Sequence, residues 1–195
     1  QDIWIDQLDT NPSTHPYDAI HLTGGESNIV GVDVDFASRY GVYVGAFRTQ
    51  LNRVQYQAVL DTCVYLLAAA GFNTISNQIL NPGIGGNPVN GFDVQSSNNV
   101  LSNITAGTTD GYLINLAGSY NSASSIVGNG VGETTSEDFI RLAGAFNSIA
   151  SPVAKGTTGI GLNVTGGSNV VTGFVADNTT KEGVKITSNQ NYISG

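Results

Sequence analysis

Two aspartates, Asp33 and Asp35, stand two residues apart in the run Val32 to Phe36, where apolar and acidic residues alternate. On a strand this spacing puts both carboxylates on one face, roughly 6.5 to 7 Å apart at their Cα atoms. That is close to the separation at which an inverting glycoside hydrolase holds its general acid and base, with a water between base and sugar. The same Asp-x-Asp also suits a solvated strand edge or a cation site. Asp33 and Asp35 are therefore the candidate catalytic pair.

A second set recurs every 22 to 28 residues: His21, Tyr43, Tyr65, Asp93, Asn115 and Arg141, followed by Asn163 and Lys185. Each lies between two apolar residues, so each faces away from them on a strand. Aligned on one face, the tyrosines would offer stacking area and Asp93, Asn115 and Arg141 hydrogen bonds, an arrangement suited to binding an extended sugar chain. A solvated strand face would also show such residues.

The other carboxylates are placed for structure. Asp18, Asp61, Asp110, Glu137, Asp138 and Glu182 each precede an apolar pair, at turn positions where Asp and Glu bond nearby backbone. His15 and His21 are the two histidines and Cys63 the one cysteine, so zinc-type spacing is absent and neither metal nor cofactor is expected. No nucleophile elbow and no phosphate-binding glycine loop is present.

The elements that must position these residues are internal repeats. GLNVTGGSNVVTG (Gly161 to Gly173) returns as GVKITSNQNYISG (Gly183 to Gly195), an offset of 22 residues. The paired apolar positions are Ile20 and Leu22, Val42 and Val44, Val64 and Leu66, Phe92 and Val94, Ile114 and Leu116, Ile140 and Leu142, Leu162 and Val164, Val184 and Ile186. After them come Asn28, Asn52, Asn73, Asn99, Asn121, Asn147, Asn169 and Asn191, separated by 21 to 26 residues. The longer spacings are loop insertions, NPGIGGNP (Asn81 to Pro88) and GNGVGE (Gly128 to Glu133). Two short strands per unit cannot bury an apolar face alone, but stacking units about 4.8 Å apart buries it and pairs the backbone. The Asn column then falls at a bend. Asn tolerates a left-handed backbone there, and its amide can bond the same group one turn away.

Past the asparagines, Asp33, Asp35, Gln55, Gln57, Ser76 and Gln78 are read as a second outward row. One place before each first apolar residue, Ala19, Gly41, Cys63, Gly91, Leu113, Phe139, Gly161 and Gly183 are read as outward too. Leu113 and Phe139 would then form an exposed apolar patch.

Composition agrees with a solenoid. The chain has 195 residues, 25 of them Gly, with 11% charged and 40% hydrophobic residues and a net charge of -8. A Gly-rich, charge-poor chain with short alternations reads as all-β. The acidic balance argues against nucleic acid as a partner, and no apolar run approaches the roughly 20 residues of a membrane helix. Residues 1–16 read as the end of a preceding coil and a loop, and residues 17–195 as the repeat domain. The pattern runs to both ends without a capping element, as in a processed chain or a piece of a longer one.

This pattern resembles the right-handed parallel β-helix of pectate-lyase-like proteins and phage tailspikes, with an Asn ladder at one turn. The resemblance spans nearly the whole chain and implies an all-β parallel β-helix of about eight coils. Among tailspikes it implies a homotrimer at the virion surface or outside the cell, which binds a bacterial surface or capsular polysaccharide. Whether Asp33 and Asp35 also cleave it stays open. The alternatives are a pectate-lyase-like extracellular hydrolase or lyase, and a structural stalk or adhesin repeat with no ligand. The paired Asp-Asp and Gly-His-Gly of active pectinase-type hydrolases are absent, as is the basic set of the calcium-dependent lyases.

Overall fold

A computed structural model describes residues 3–5, 17–81, 90–130 and 138–195. The loop with His15, nearly all of the first insertion, half of the second, and Glu137 lie outside these residues. Among them there is no helix, and every strand pairing is parallel. Eight short strands make one sheet: Ile20–Leu22, Tyr40–Val44, Thr62–Leu66, Asn90–Val94, Ile114–Leu116, Ile140–Leu142, Leu162–Val164 and Val184–Ile186. The other sheet has ten, six of them longer, at 7 to 10 residues: Ile3–Ile5, Asn28–Ala37, Gln50–Val59, Thr74–Leu80, Val100–Ala106, Ser122–Asn129, Ser148–Lys155, Val170–Thr172, Val175–Asp177 and Tyr192–Ser194. The chain alternates between the sheets and advances one rung each time, making a parallel β-helix of about seven full turns.

The core is the tube between the sheets. Val42, Val44, Val64, Leu66, Phe92, Val94, Ile114 and Leu116 project into it from the short strands, all fully buried. The long strands supply residues spaced i, i+3, i+5: Leu51, Val54 and Tyr56, then Leu101, Ile104 and Ala106. A strict strand period would give i, i+2, i+4. The extra residue is a bend in the left-handed region, occupied by Gly31, Arg53, Asn77, Asn103, Ser125, Ser151 and Gly173, with φ between 53° and 65°. Each long strand is thus two strands joined at a corner, and its inward phase shifts by one there.

That shift corrects the outward row past the asparagines. Gln78 follows the bend residue Asn77 and points inward, fully buried. It accepts a hydrogen bond from the Tyr56 hydroxyl (2.9 Å) and donates to the carbonyls of Ser76 (2.6 Å) and Leu51 (3.2 Å). A buried amide is tolerated because its groups are paired.

The asparagine column also differs from the sequence expectation. The backbone N–H of Thr49 donates to Asn73 Oδ1 at 2.7 Å, and those of Asn73, Asn99, Asn121, Asn147 and Asn169 donate to the Oδ1 of the next Asn at 2.8 to 3.0 Å, ending at Asn191. Asn28 and Asn52 are outside this ladder. Strand register puts Asn28 beside Gln50, and Asn52 between Val30 and Ser76, so Ser27 and Thr49 occupy the ladder position in the first two coils. Asn52 instead accepts from Asn77 Nδ2 at 2.8 Å on the outer surface. Nor is the ladder Asn the left-handed residue: positive φ falls one place earlier, at Glu26, Arg48, Phe72, Asn98, Tyr120, Phe146, Ser168 and Gln190. In six of these eight coils an Asn follows, and it caps the corner.

Leu113 and Phe139 are fully buried, and so are Gly41, Cys63, Gly91 and Gly161. The chain enters each short strand around a corner, so two consecutive residues face the core before alternation begins. Sizes interlock there: a Cβ on Gly41 would lie 2.7 Å from a Tyr56 ring carbon, and one on Gly91 2.8 Å from Leu113 Cδ1. The apolar patch inferred for these two residues therefore does not exist, and it lends no support to a trimer.

Candidate functional site

Strand register places the predicted column in one row: His21 beside Tyr43, then Tyr65, Asp93, Asn115, Arg141, Asn163 and Lys185 in turn. All stand on the short-strand sheet, because each is the residue between two apolar ones in a three- to five-residue strand. Asp33 and Asp35 stand on the other sheet, with Asp33 beside Gln55. The candidate acids and the candidate binding row thus do not share a surface. Asp35 Oδ1 is buried without a hydrogen-bond partner.

The tyrosines do not present open faces. His21 stacks on Tyr43 (4.3 Å between centroids, 18° between planes), Tyr43 on Tyr65 (5.8 Å, 15°), and Tyr40 on Tyr65 (4.7 Å, 8°). The rings are one another's partners, each pair contributing about 0.5 to 1.5 kcal/mol. What the row offers a ligand is ring edges and hydroxyl groups. Burial, then the charges of neighbouring carboxylates, raises the Tyr40 and Tyr65 hydroxyls above their ordinary range, so both stay protonated as donors.

Beside the row lies a buried carboxylate. Asp18 accepts two hydrogen bonds from Arg39, from Nε at 2.7 Å and Nη2 at 2.6 Å, and one from His21 Nδ1 at 2.6 Å. Only 2% of its side chain is exposed. Burial works to raise this carboxyl, but the bonds and charges of Arg39 and His21 outweigh it and hold it below the usual range. With Nδ1 engaged, Nε2 is the His21 ring nitrogen not bonded to Asp18. The depressed carboxyl stabilises the fold at pH above its unfolded value near 3.8. That contribution should be lost as the pH falls through the lower, folded value. Acid unfolding of Asp18→Asn, compared with wild type, checks this: the variant should be less stable at neutral pH and should lack this part of the acid-induced loss.

Farther along, Asp93 Oδ1 accepts from Gln95 Nε2 (2.6 Å) and Asn115 Nδ2 (3.0 Å). Burial, then the adjacent Asp93, pushes the Tyr112 hydroxyl far up. Asn115 is buried, so it braces Asp93 rather than meeting a ligand, while Arg141 is exposed. Asp138, read as structural, is structural: it accepts from Asn163 Nδ2 (2.6 Å) and the Ile160 N–H (3.3 Å). Sequence reading missed Tyr40 and Arg39 at this site. The signal was there: Tyr40 and Tyr43 lie three apart at a strand start, and Arg39 falls 21 residues after Asp18, one coil away. Among the described residues no three His, Cys, Asp or Glu side chains converge as a metal site, and no helix is long and apolar enough to cross a membrane.

This architecture has a solved counterpart. The fold is similar to that of an alginate lyase from Paenibacillus sp. strain FPU-7. The TM-score is 0.58 over 94% of this chain and 78% of that one, with 12% identical residues. At that identity the likeness is one of fold. No protein-family profile and no curated protein sequence matches the chain.

Proposed function

We propose that this chain is a β-helix that engages an extracellular polysaccharide along its short-strand sheet and acts on it there. The observation that carries the reading is the in-register row His21–Tyr43–Tyr65, with Tyr40 beside it and Asp93 and Arg39 at its flanks. Phenol hydroxyls, a carboxylate and an exposed Arg141 repeat at the coil rise of about 4.8 Å, a comb of donors and acceptors matched to the hydroxyls of a sugar chain. In this reading His21 and Asp18 form the proton-handling pair. Asp18 orients the ring, as the carboxylate does in a His-Asp pair, and Nε2 exchanges the proton. Eliminative cleavage needs a base and a proton donor at one surface, and this row provides His21 and protonated tyrosines. The fold shared with an alginate lyase favours that chemistry over hydrolysis by Asp33 and Asp35, which lie on the other sheet.

The setting proposed from the coil pattern is a homotrimeric phage tailspike or similar virion appendage, with bacterial surface or capsular polysaccharide as the partner. A secreted enzyme is the second reading, favoured by the alginate lyase likeness.

The test uses the full chain against a panel of alginate, polygalacturonate, bacterial capsular polysaccharide and cellulose oligosaccharides, scored for binding, for new reducing ends and for unsaturated products. Binding should fall about tenfold in Tyr65→Ala, equivalent to about 1.4 kcal/mol. Unsaturated product that disappears in His21→Ala supports elimination. Cleavage lost in Asp33→Asn or Asp35→Asn, with His21→Ala active, would return the chemistry to the aspartates. Absence of binding to every member would leave the stalk reading.

A further inference from the structure

The left-handed bend within the long strands carries a groove of about 390 Å³ on the ten-stranded sheet, away from the tyrosine row. Arg53, Gln55, Asn77, Ile79, Asn103 and Thr105 line it. We propose that this groove is a second saccharide site, which holds an extended oligosaccharide along the solenoid axis across three coils. The inference rests on the polysaccharide reading and adds a surface that reading does not use.

The lining selects for this class of ligand. Asn77 Nδ2 donates to Asn52 Oδ1 (2.8 Å) and Asn103 Nδ2 to Asn77 Oδ1 (3.1 Å), so the amides orient one another in a single sense. Each amide has two N–H donors and an oxygen with two lone pairs. The ladder takes one donor and one lone pair from Asn77, leaving one of each for a ligand. This alternation repeats at the rung spacing of about 4.8 Å. Sugar hydroxyls, which both donate and accept, complement such a floor. Gln55, Ile79 and Thr105 form one wall in register. Ile79 is 38% exposed and offers apolar contact to the C–H face of a sugar ring. Other polymers fit less well. Nucleic acid binding draws on several cations, and Arg53 is the one in this lining. An extended peptide adds to an open strand edge, whereas Gln50–Val59, Thr74–Leu80 and Val100–Ala106 each have a strand on both sides.

The bend itself supplies a clean test. Asn77 and Arg53 have φ of 54° and 55°, and the column already carries glycine at Gly31 and Gly173. Asn77→Gly and Arg53→Gly therefore remove the side chains while keeping the backbone conformation. Isothermal titration of the full chain with tetrasaccharides of alginate, polygalacturonate and cellulose is expected to show two molar equivalents bound. Asn77→Gly should weaken one of them about tenfold, the loss of a well-placed hydrogen bond or two, while the melting temperature falls only slightly, from loss of its surface bonds to Asn52 and Asn103. Tyr65→Ala should weaken the other. A single equivalent that disappears in Tyr65→Ala and is untouched by Asn77→Gly overturns the groove and leaves the tyrosine row standing. If no tetrasaccharide binds wild type, the polysaccharide reading falls, and the groove with it.

Discussion

Gly144→Ala is expected to leave little or no folded protein. Gly118, Gly144 and Gly166 lie one above another at the ladder corner, each three residues before a ladder asparagine. A Cβ on Gly144 would stand 2.0 Å from the carbonyl oxygen of Gly118, and one on Gly166 2.0 Å from that of Gly144. These obstacles are backbone, so no side-chain rotation relieves them; the coils would have to separate. Separation would stretch the bonds from the Gly144 and Ala143 N–H groups to the Leu116 carbonyl (2.9 and 3.0 Å) and the contact of Asn169 Nδ2 with the Gly144 carbonyl (3.0 Å). We expect a loss of more than about 4 kcal/mol, in the range reserved for disrupted cores and networks. Soluble yield and far-ultraviolet circular dichroism read it directly. Gly24→Ala, where a Cβ meets nothing within 4 Å, is the matched control and should change stability by no more than about 0.5 kcal/mol. Wild-type unfolding of Gly144→Ala would mean that the coils do not stack in this register.

Asn121→Ala should cost about 3 kcal/mol. The side chain is 1% exposed and serves three groups: its Oδ1 accepts from the Asn99 backbone N–H (2.8 Å) and Asn99 Nδ2 (3.0 Å), and its Nδ2 donates to the Ser96 carbonyl (3.1 Å). Truncation strands a buried backbone N–H, which alone costs about 1 to 3 kcal/mol. Loss of the other two bonds, each worth about 1 kcal/mol net, completes the figure. Guanidinium unfolding followed by circular dichroism measures it. Asn52→Ala is the discriminating partner, because Asn52 bonds Asn77 on the outer surface; it should cost about 0.5 kcal/mol or less. Equal losses for the two variants would put Asn52 back in the inner ladder.

The contrast between Asn121 and Asn52 shows where sequence reading succeeded and where it went astray. In the last two coils the ladder residue lies five places after the second inward residue of the short strand. The same count from Leu22 and Val44 gives Ser27 and Thr49, the residues that occupy those places. Choosing the nearest Asn over the count led to Asn28 and Asn52. Residue chemistry was a poorer guide than spacing because the backbone N–H at that corner bonds the next coil whatever its own side chain is. The inward placement of Leu113, Phe139 and Gln78 was harder to read. A two-residue period continues only while the backbone stays extended, and each error falls at a corner, where left-handed or turning backbone shifts the phase by one.

By itself the sequence determined the all-β class, the parallel stacking, the register of the short strands and the membership of the outward row from His21 to Lys185. All of these follow from a two-residue period repeated at a nearly constant offset. Tertiary structure alone decided three further matters. It set the second row, with Asp33 and Asp35, on a sheet of its own and so kept it from sharing a surface with the first, because the corner between strands turns the chain onto a new wall. It set Arg39 on Asp18 and Tyr40 on Tyr65, each from the adjoining coil, because residues about 22 apart in sequence become adjacent only when the coils stack. And it turned the tyrosine faces toward one another, because at this rung spacing the nearest apolar surface open to each exposed ring is the ring on the next coil.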